Sequence, residues 1–304
     1  MRFKAVLASE QVSLLNALIG PISRLKPEAI LYIDPRHLRL STRDADGISC
    51  FAELMTRGGI FLEHRCESIT DNAIVFEIDL IQWRTALQSI LTGNGDTRRG
   101  RRSSQDDDRE LQIVSSSRII MKLAKRQGGV PCLCMEASSA TVEVHHAIPV
   151  RILRVAEMEF HLPPQINIPH VQLELSIERP LRTIVERLKG IAPNVYVEGK
   201  MTGELTLRVD SDGASIRTFF TKLEPKFDDD KLQDESATCT LKVDTKKLLT
   251  CLQWQATMSR TVSSSLLCLV ENEMLVLHVA LNPSSVGFFT YYVPVHYMTD
   301  SQVD

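Results

Sequence analysis

The chain has 304 residues, about two domains' worth, and its 43% hydrophobic and 24% charged residues are the balance of a soluble globular protein. A formal net charge of −3 excludes a chain coated in positive charge, although it leaves room for one basic inner face. No run reaches the ~18–20 apolar residues of a membrane span. The opening MRFKAVLASE lacks the apolar core of a signal peptide, and seven irregularly spaced cysteines suggest reduced thiols, so an intracellular protein is expected.

The first predicted element is a helix with an apolar stripe of Val12, Leu15, Leu18, Ile19 and Ile22; Pro21 should kink or end it. The strand AILYID follows. Next comes an alternating segment broken at RDADGIS (Arg43–Ser49), where Asp-Gly between alternating flanks predicts a hairpin. DLIQWRTALQ then predicts a helix capped by Asp79. The stretch TGNGDTRRGRRSSQDDDRE (Thr92–Glu110) is glycine-, serine- and charge-rich and reads as a disordered insertion over about 92–112. SRIIMKLA, CLCMEA and TVEVHH are late strands of this half. Arg151–His170 has three prolines and no sustained period, and reads as an extended connector.

The remainder repeats the first half. A helix with Leu181, Ile184, Val185 and Leu188 on one stripe answers the first helix, and NVYVEG answers AILYID. VDSDGAS (Val209–Ser215) repeats the Asp-x-Asp-Gly-x-Ser pattern, and DTKKLLTCLQ from Asp244 repeats the Asp79 helix. The offset is nearly constant from Asp44/Asp210 to Asp79/Asp244. By Pro149/Pro294 it has fallen by about 20 residues, which makes Thr92–Glu110 surplus to the fold. The expected fold class is α+β with strands dominating, in two similar domains at 1–150 and 171–304 joined by 151–170.

Several motifs invite a chemical reading and lack its remaining parts. Asp44, Asp46, Gly47 and Glu53 occupy calcium-loop positions, but Thr42 stands where the first carboxylate belongs and both flanks alternate as strands. Cys132 and Cys134 share a strand face without a second zinc-spaced pair, and His145 and His146 point to opposite faces. No phosphate loop, nucleophile elbow or metalloprotease motif occurs. The basic residues Arg24, Arg84, Arg179, Arg182, Lys189, Lys246 and Lys247 fall off the apolar stripes. That pattern fits an ordinary solvated helix face or a positive wall for phosphates. The residues by themselves lead to a duplicated α+β binding module.

The ending GFFTYYVPV resembles the terminus of proliferating cell nuclear antigen. MRFKA, PCL (Pro131–Leu133), IPV (Ile148–Val150), IVERLKGI (Ile184–Ile191), GELTL (Gly203–Leu207) and VDTKKLL (Val243–Leu249) together resemble the Hus-one-type subunits of the heterotrimeric nine-one-one checkpoint clamp, within the DNA sliding-clamp superfamily. The resemblance implies two clamp domains, each with two helices packed on a curved, mainly antiparallel sheet. It implies a non-enzymatic nuclear ring of this chain and two paralogous subunits, without cofactor or membrane contact. The ring would be placed around duplex DNA by a clamp loader and would serve checkpoint signalling proteins and repair enzymes. The seven basic residues above would face DNA without reading sequence.

By family position, Thr141, Val142, Glu143, Val144 and His145, and Ser215, Ile216, Arg217, Thr218, Phe219 and Phe220, would pair with neighbouring subunits. Ile152, Leu153, Val155, Met158 and Phe160 on the connector would dock clients. No family role covers the insertion. Its Arg98, Arg99, Arg101 and Arg102 suit an import signal, and Ser103 and Ser104 suit phosphorylation. The alternatives are a homotrimeric replicative clamp and an enzyme or non-DNA scaffold on a duplicated α+β fold.

Overall fold

The computed structural model describes residues 1–93, 118–126, 128–138, 143–176, 181–211, 213–227 and 234–296. The predicted residues Arg98, Arg99, Arg101, Arg102, Ser103, Ser104, Thr141, Val142 and Arg179 lie outside them. The chain divides into two compact units, Met1–Thr42 with Glu53–Leu162, and Arg43–Ala52 with Pro163–Asp304.

The first unit opens with β1 (Arg2–Leu7), α1 (Ser9–Ile22), β2 (Glu28–Ile33) and β3 (His37–Arg43). The chain reverses at the Asp-Gly turn into β4 (Ser49–Met55), then runs through β5 (Glu63–Glu67), β6 (Ile74–Asp79) and α2 (Leu80–Gly93). β7 (Ile119–Lys125), β8 (Pro131–Ser138) and β9 (Glu143–Leu153) follow. The sheet order is β3-β2-β6-β9-β8-β7-β1-β5, and each adjacent pair is antiparallel. The α1 stripe Val12, Leu15, Leu18, Ile19 and Ile22 is buried, and Pro21 sits in the last turn, one residue before the helix ends. α2 starts where expected because Asp79 Oδ1 accepts the N–H groups of Ile81 (2.8 Å) and Gln82 (3.0 Å).

The second unit holds β10 (Val171–Glu174), α3 (Leu181–Leu188), β11 (Asn194–Lys200), β12 (Glu204–Ser211), β13 (Ala214–Phe220), β14 (Glu224–Pro225) and β15 (Thr238–Asp244). After these come α4 (Thr245–Cys251), the single-turn α5 (Trp254–Thr257), β16 (Val262–Val270), β17 (Met274–Leu281) and β18 (Gly287–Pro294). Two antiparallel strand sets result, β14-β10-β16-β17-β18 and β13-β12-β11-β15. Asp244 Oδ1 caps α4 through Lys247 N at 3.0 Å, the counterpart of Asp79.

The first Asp-Gly motif is a hairpin turn, and the second lies in the chain between the antiparallel pair β12 and β13. Asp44 N–H donates to the Ile48 carbonyl at 2.9 Å, its Oδ1 accepts Ile48 N at 2.8 Å, and Gly47 takes a φ of +87°. The carboxylate that resembled a calcium ligand therefore holds a turn. In the second copy Asp210 accepts from Ser215 Oγ (2.7 Å) and Arg208 Nη1 (2.8 Å). The first turn belongs to the second unit: Phe51 meets the Tyr292 ring edge-on at 5.6 Å between centroids.

The connector differs from its expected extended form. Residues Arg151–Leu153 continue β9 and pair with β6, and Val155–His161 form a 3-10 helix. Met158 on that helix is buried against Ile30 and Val75, with Tyr32, Leu153 and Val155 packed around them. The apolar contact, absent from any local period, ties the connector's first part to the first unit.

Candidate DNA-facing helices and subunit edges

Each unit brings its two helices together, α1 on α2 and α3 on α4. α2 packs on β6 and β9, and α4 packs on β15 and β18. The two helix pairs expose different chemistry. Residues Ser9–Ile22 and Leu80–Gly93 contain only Glu10 and Arg84 as charged groups. Leu181–Leu188 and Thr245–Cys251 contain Arg182, Arg187, Lys246 and Lys247 against the single acid Glu186, and Lys189 follows directly.

The expected DNA-facing residues separate into two groups. Lys189 and Lys246 are exposed. Arg187, also exposed on α3, was missed by the pattern reading because it lies beside the apolar Leu188; a helical wheel places it off the stripe. Arg182 is committed to the protein. Its backbone N–H donates to Gln255 Oε1 (2.8 Å), its Nε donates to Gln253 Oε1 (3.4 Å), and its Nη2 lies 3.3 Å from Glu186 Oε2. Lys247 Nζ donates to the Asp46 carbonyl at 3.2 Å. Arg84 lies with its guanidinium carbon 3.4 Å from the place a Cβ would take on Gly20, and its Nε is buried. Its guanidinium group packs over Gly20 at the contact between α1 and α2, which limits its reach to solvent. Arg24 is exposed in the turn after α1, beyond the helix on which the pattern placed it.

Among the described residues β5 and β14 end their strand sets, and β9 and β13 carry two further open edges. β9 pairs with β8 along Glu143–Pro149, while β6 covers its other side only from Val150 to Leu153. Glu143, Val144 and His145 therefore have one unpaired side. His145 is exposed near Glu143 (3.6 Å) and Glu136 (3.9 Å). β13 is the outer strand of its set and pairs only with β12, through Ala214–Phe220. It carries Ser215, Ile216, Arg217, Thr218, Phe219 and Phe220, and Phe219 is 67% exposed. An outer strand with a large exposed aromatic has the backbone groups and apolar surface to pair with a further strand.

Of the expected docking residues, Ile152 is exposed, and Leu153 and Val155 are half-buried. Met158 is buried, so its side chain anchors the connector and is closed to a client, contrary to the expectation. None of the described cysteines is in a disulfide. Cys132 is buried and Cys134 half-buried, where burial raises the Cys134 thiol pKa and keeps it protonated. Among the described residues no group of three His, Cys, Asp or Glu side chains is placed to hold a metal ion.

The duplicated helix-and-sheet unit is the sliding-clamp fold. Over 97% of this chain and 100% of its own, the PCNA of Thermococcus kodakaraensis superposes with a TM-score of 0.64 at 15% identity. The family model described as Hus1-like protein matches residues 1–296, and the chain belongs to that family. Among named relatives, the checkpoint protein hus1 homolog of Dictyostelium discoideum is 29% identical over 97% of this chain and 98% of its own length. The checkpoint protein hus1 of Schizosaccharomyces pombe is 23% identical over 90% and 89%.

Proposed function

We propose that the chain is a non-catalytic subunit of a heterotrimeric ring clamp that encircles damaged DNA and serves as a platform for checkpoint signalling and repair enzymes. The observation that carries this reading is the pair of unlike open edges, half of β9 and all of β13, on a chain of the Hus1-like family. Unlike edges make head-to-tail contacts, which close into a ring where the rotation between subunits allows it. Two paralogous clamp subunits would cover them, with Glu143–His145 and Ser215–Phe220 as the pairing strands.

The basic α3–α4 pair supplies the DNA contact. Lys189, Lys246 and Arg187 meet phosphates, with Arg179 just before α3, while Arg182 and Lys247 add field from bonded positions. Such contacts read no sequence and weaken steeply with salt, which suits a ring that slides. A clamp loader, client enzymes and a nuclear location follow from the same reading, and it calls for no cofactor. The Arg98–Arg102 run would act in import and Ser103 and Ser104 in modification; deleting the insertion should leave ring assembly intact.

Co-purification from cells with mass measurement tests the proposal. Two clamp-like relatives in equal amounts support it. A stable homotrimer of this chain would return the replicative-clamp alternative, and a monomer with intrinsic turnover would return the enzyme alternative.

A further inference from the structure

The first unit contains an open cavity of about 650 Å³, lined in part by Pro35, Arg36, Met55, Arg57, His64 and Arg65, and unconnected to the helix faces or strand edges above. Its floor is fixed by backbone bonds. Thr56, fully buried, donates its N–H to the Arg36 carbonyl (2.9 Å) and its hydroxyl to the Pro35 carbonyl (2.9 Å). His64 Nε2 lies 3.0 Å from that same Pro35 oxygen. These bonds bring the turn before β3, the end of β4 and β5 around one concavity and hold Arg36 and Arg57 at its rim.

The charge of the cavity is lopsided. Among the described residues, neither the Arg36 nor the Arg57 side chain has a hydrogen-bond or ion-pair partner, and both residues are exposed. Arg65 is paired, donating from Nε to Glu67 Oε1 at 2.6 Å. Asp34, an acid on the same turn, is turned to the backbone: its Oδ1 accepts the N–H groups of Arg36 (2.6 Å) and His37 (2.7 Å). Cys66, also in the lining, donates its thiol to the Asn72 carbonyl at 2.9 Å, and burial pushes that thiol up to about 11, so it brings no negative charge. The lining thus presents two unsatisfied guanidinium forks against one already-paired carboxylate.

We propose that this cavity binds a phosphorylated serine or threonine side chain of a partner protein. Two unpaired guanidinium groups offer the planar, bidentate donors that a phosphate monoester takes best. The volume exceeds a lone phosphate and falls in the range of sites that enclose a drug-sized ligand, room for a phosphorylated side chain and its adjacent backbone. Pro35 and Met55 give the flanking peptide apolar contact. A single-stranded nucleic acid would want aromatic faces for base stacking, and the lining has none besides the His64 imidazole. The inference does not rest on ring assembly, because every lining residue belongs to the first unit.

The test uses the full chain and a fluorescein-labelled Gly-Ala-Asp-phosphoserine-Asp-Ala-Gly peptide, followed by polarisation at low salt beside its unphosphorylated twin. The phosphorylated form should bind at least about tenfold more tightly. Inorganic phosphate should compete, and the double variant Arg36→Glu/Arg57→Glu should erase the preference. The exposed control Arg260→Glu should keep it. Thermal midpoints confirm folding, and Arg36→Gln/Arg57→Gln serves if the charge reversal is poorly folded. No preference for the phosphorylated peptide, or a preference that survives both double variants, overturns the proposal. So does loss of binding to a short DNA oligonucleotide in the double variant when the wild-type chain ignores the phosphopeptide.

Discussion

The two copies of the repeat share helix caps, hairpin turns and sheet connectivity, yet they place different chemistry on equivalent surfaces. The first copy's helix pair is nearly uncharged, and β2 is covered on a second face by Met158 and its neighbours. In the second copy the helix pair is basic, and the corresponding strand β11 turns Tyr196 outward under Arg208, whose guanidinium lies 4.2 Å from the ring centroid. Arg208 also pairs with Glu198 (2.9 Å) and Asp210 (2.8 Å). Duplication supplied two frames; the first became an anchor for the connector, and the second carries the charge. The lesson is that charge must be assigned helix by helix within a duplicated chain, since the total of −3 conceals it.

The contrast is most exposed to failure on DNA. Lys189→Glu/Lys246→Glu should reduce retention of the assembled ring on circular duplex by more than about tenfold and flatten its salt dependence, without loss of assembly. Arg84→Ala should change retention less than about twofold, and its cost should appear in the thermal stability of the first unit, where the guanidinium group covers Gly20. Equal retention losses for the two would erase the distinction between the helix pairs.

The outer faces of β2 and β11 give the next test. Met158→Ala removes a buried side chain and should cost about 2 kcal/mol in chemical denaturation. Tyr196→Ala removes a partly solvated cation–π contact and should cost about 1 kcal/mol or less. A reversed order would show that the connector is weakly held.

The smallest effect is a pH dependence at one histidine of the second copy. His278 is desolvated between strands, with Nδ1 2.8 Å from Thr290 Oγ1, and burial lowers its pKa. The unfolded chain then binds the proton more readily, so stability contributed by the neutral ring is full above the unfolded value of about 6.5 and falls as pH drops below it toward the folded pKa. Thermal melts across that window should show the decline in wild type, and His278→Gln should remove that share of it.

Much of this architecture was legible in the chain because its signals are local. The Asp79 and Asp244 caps, the two Asp-Gly turns and the stripes of α1 and α3 each lie within a few residues of what they specify. β1 and β10 were overlooked, each being a short strand whose partners lie far along the chain. The committed state of Arg182 was also illegible, since Gln253 and Gln255 reach it from about seventy positions away. Met158 looked like one more apolar residue in a proline-rich connector, and only its packing on Ile30 and Val75 separates an anchor from an open docking residue. The cavity at Arg36 and Arg57 is assembled from separate turns and strand ends, and no spacing rule marks it.

The open edge of β13 has a consequence for supply. A chain made without partners displays Phe219 beside a row of unpaired backbone groups, the surface that recruits other strands indiscriminately. In the proposed ring, synthesis in excess of the covering subunits should therefore favour aggregation or proteolysis over a reserve of usable protein. The abundance of the chain would then follow whichever neighbour is scarcest.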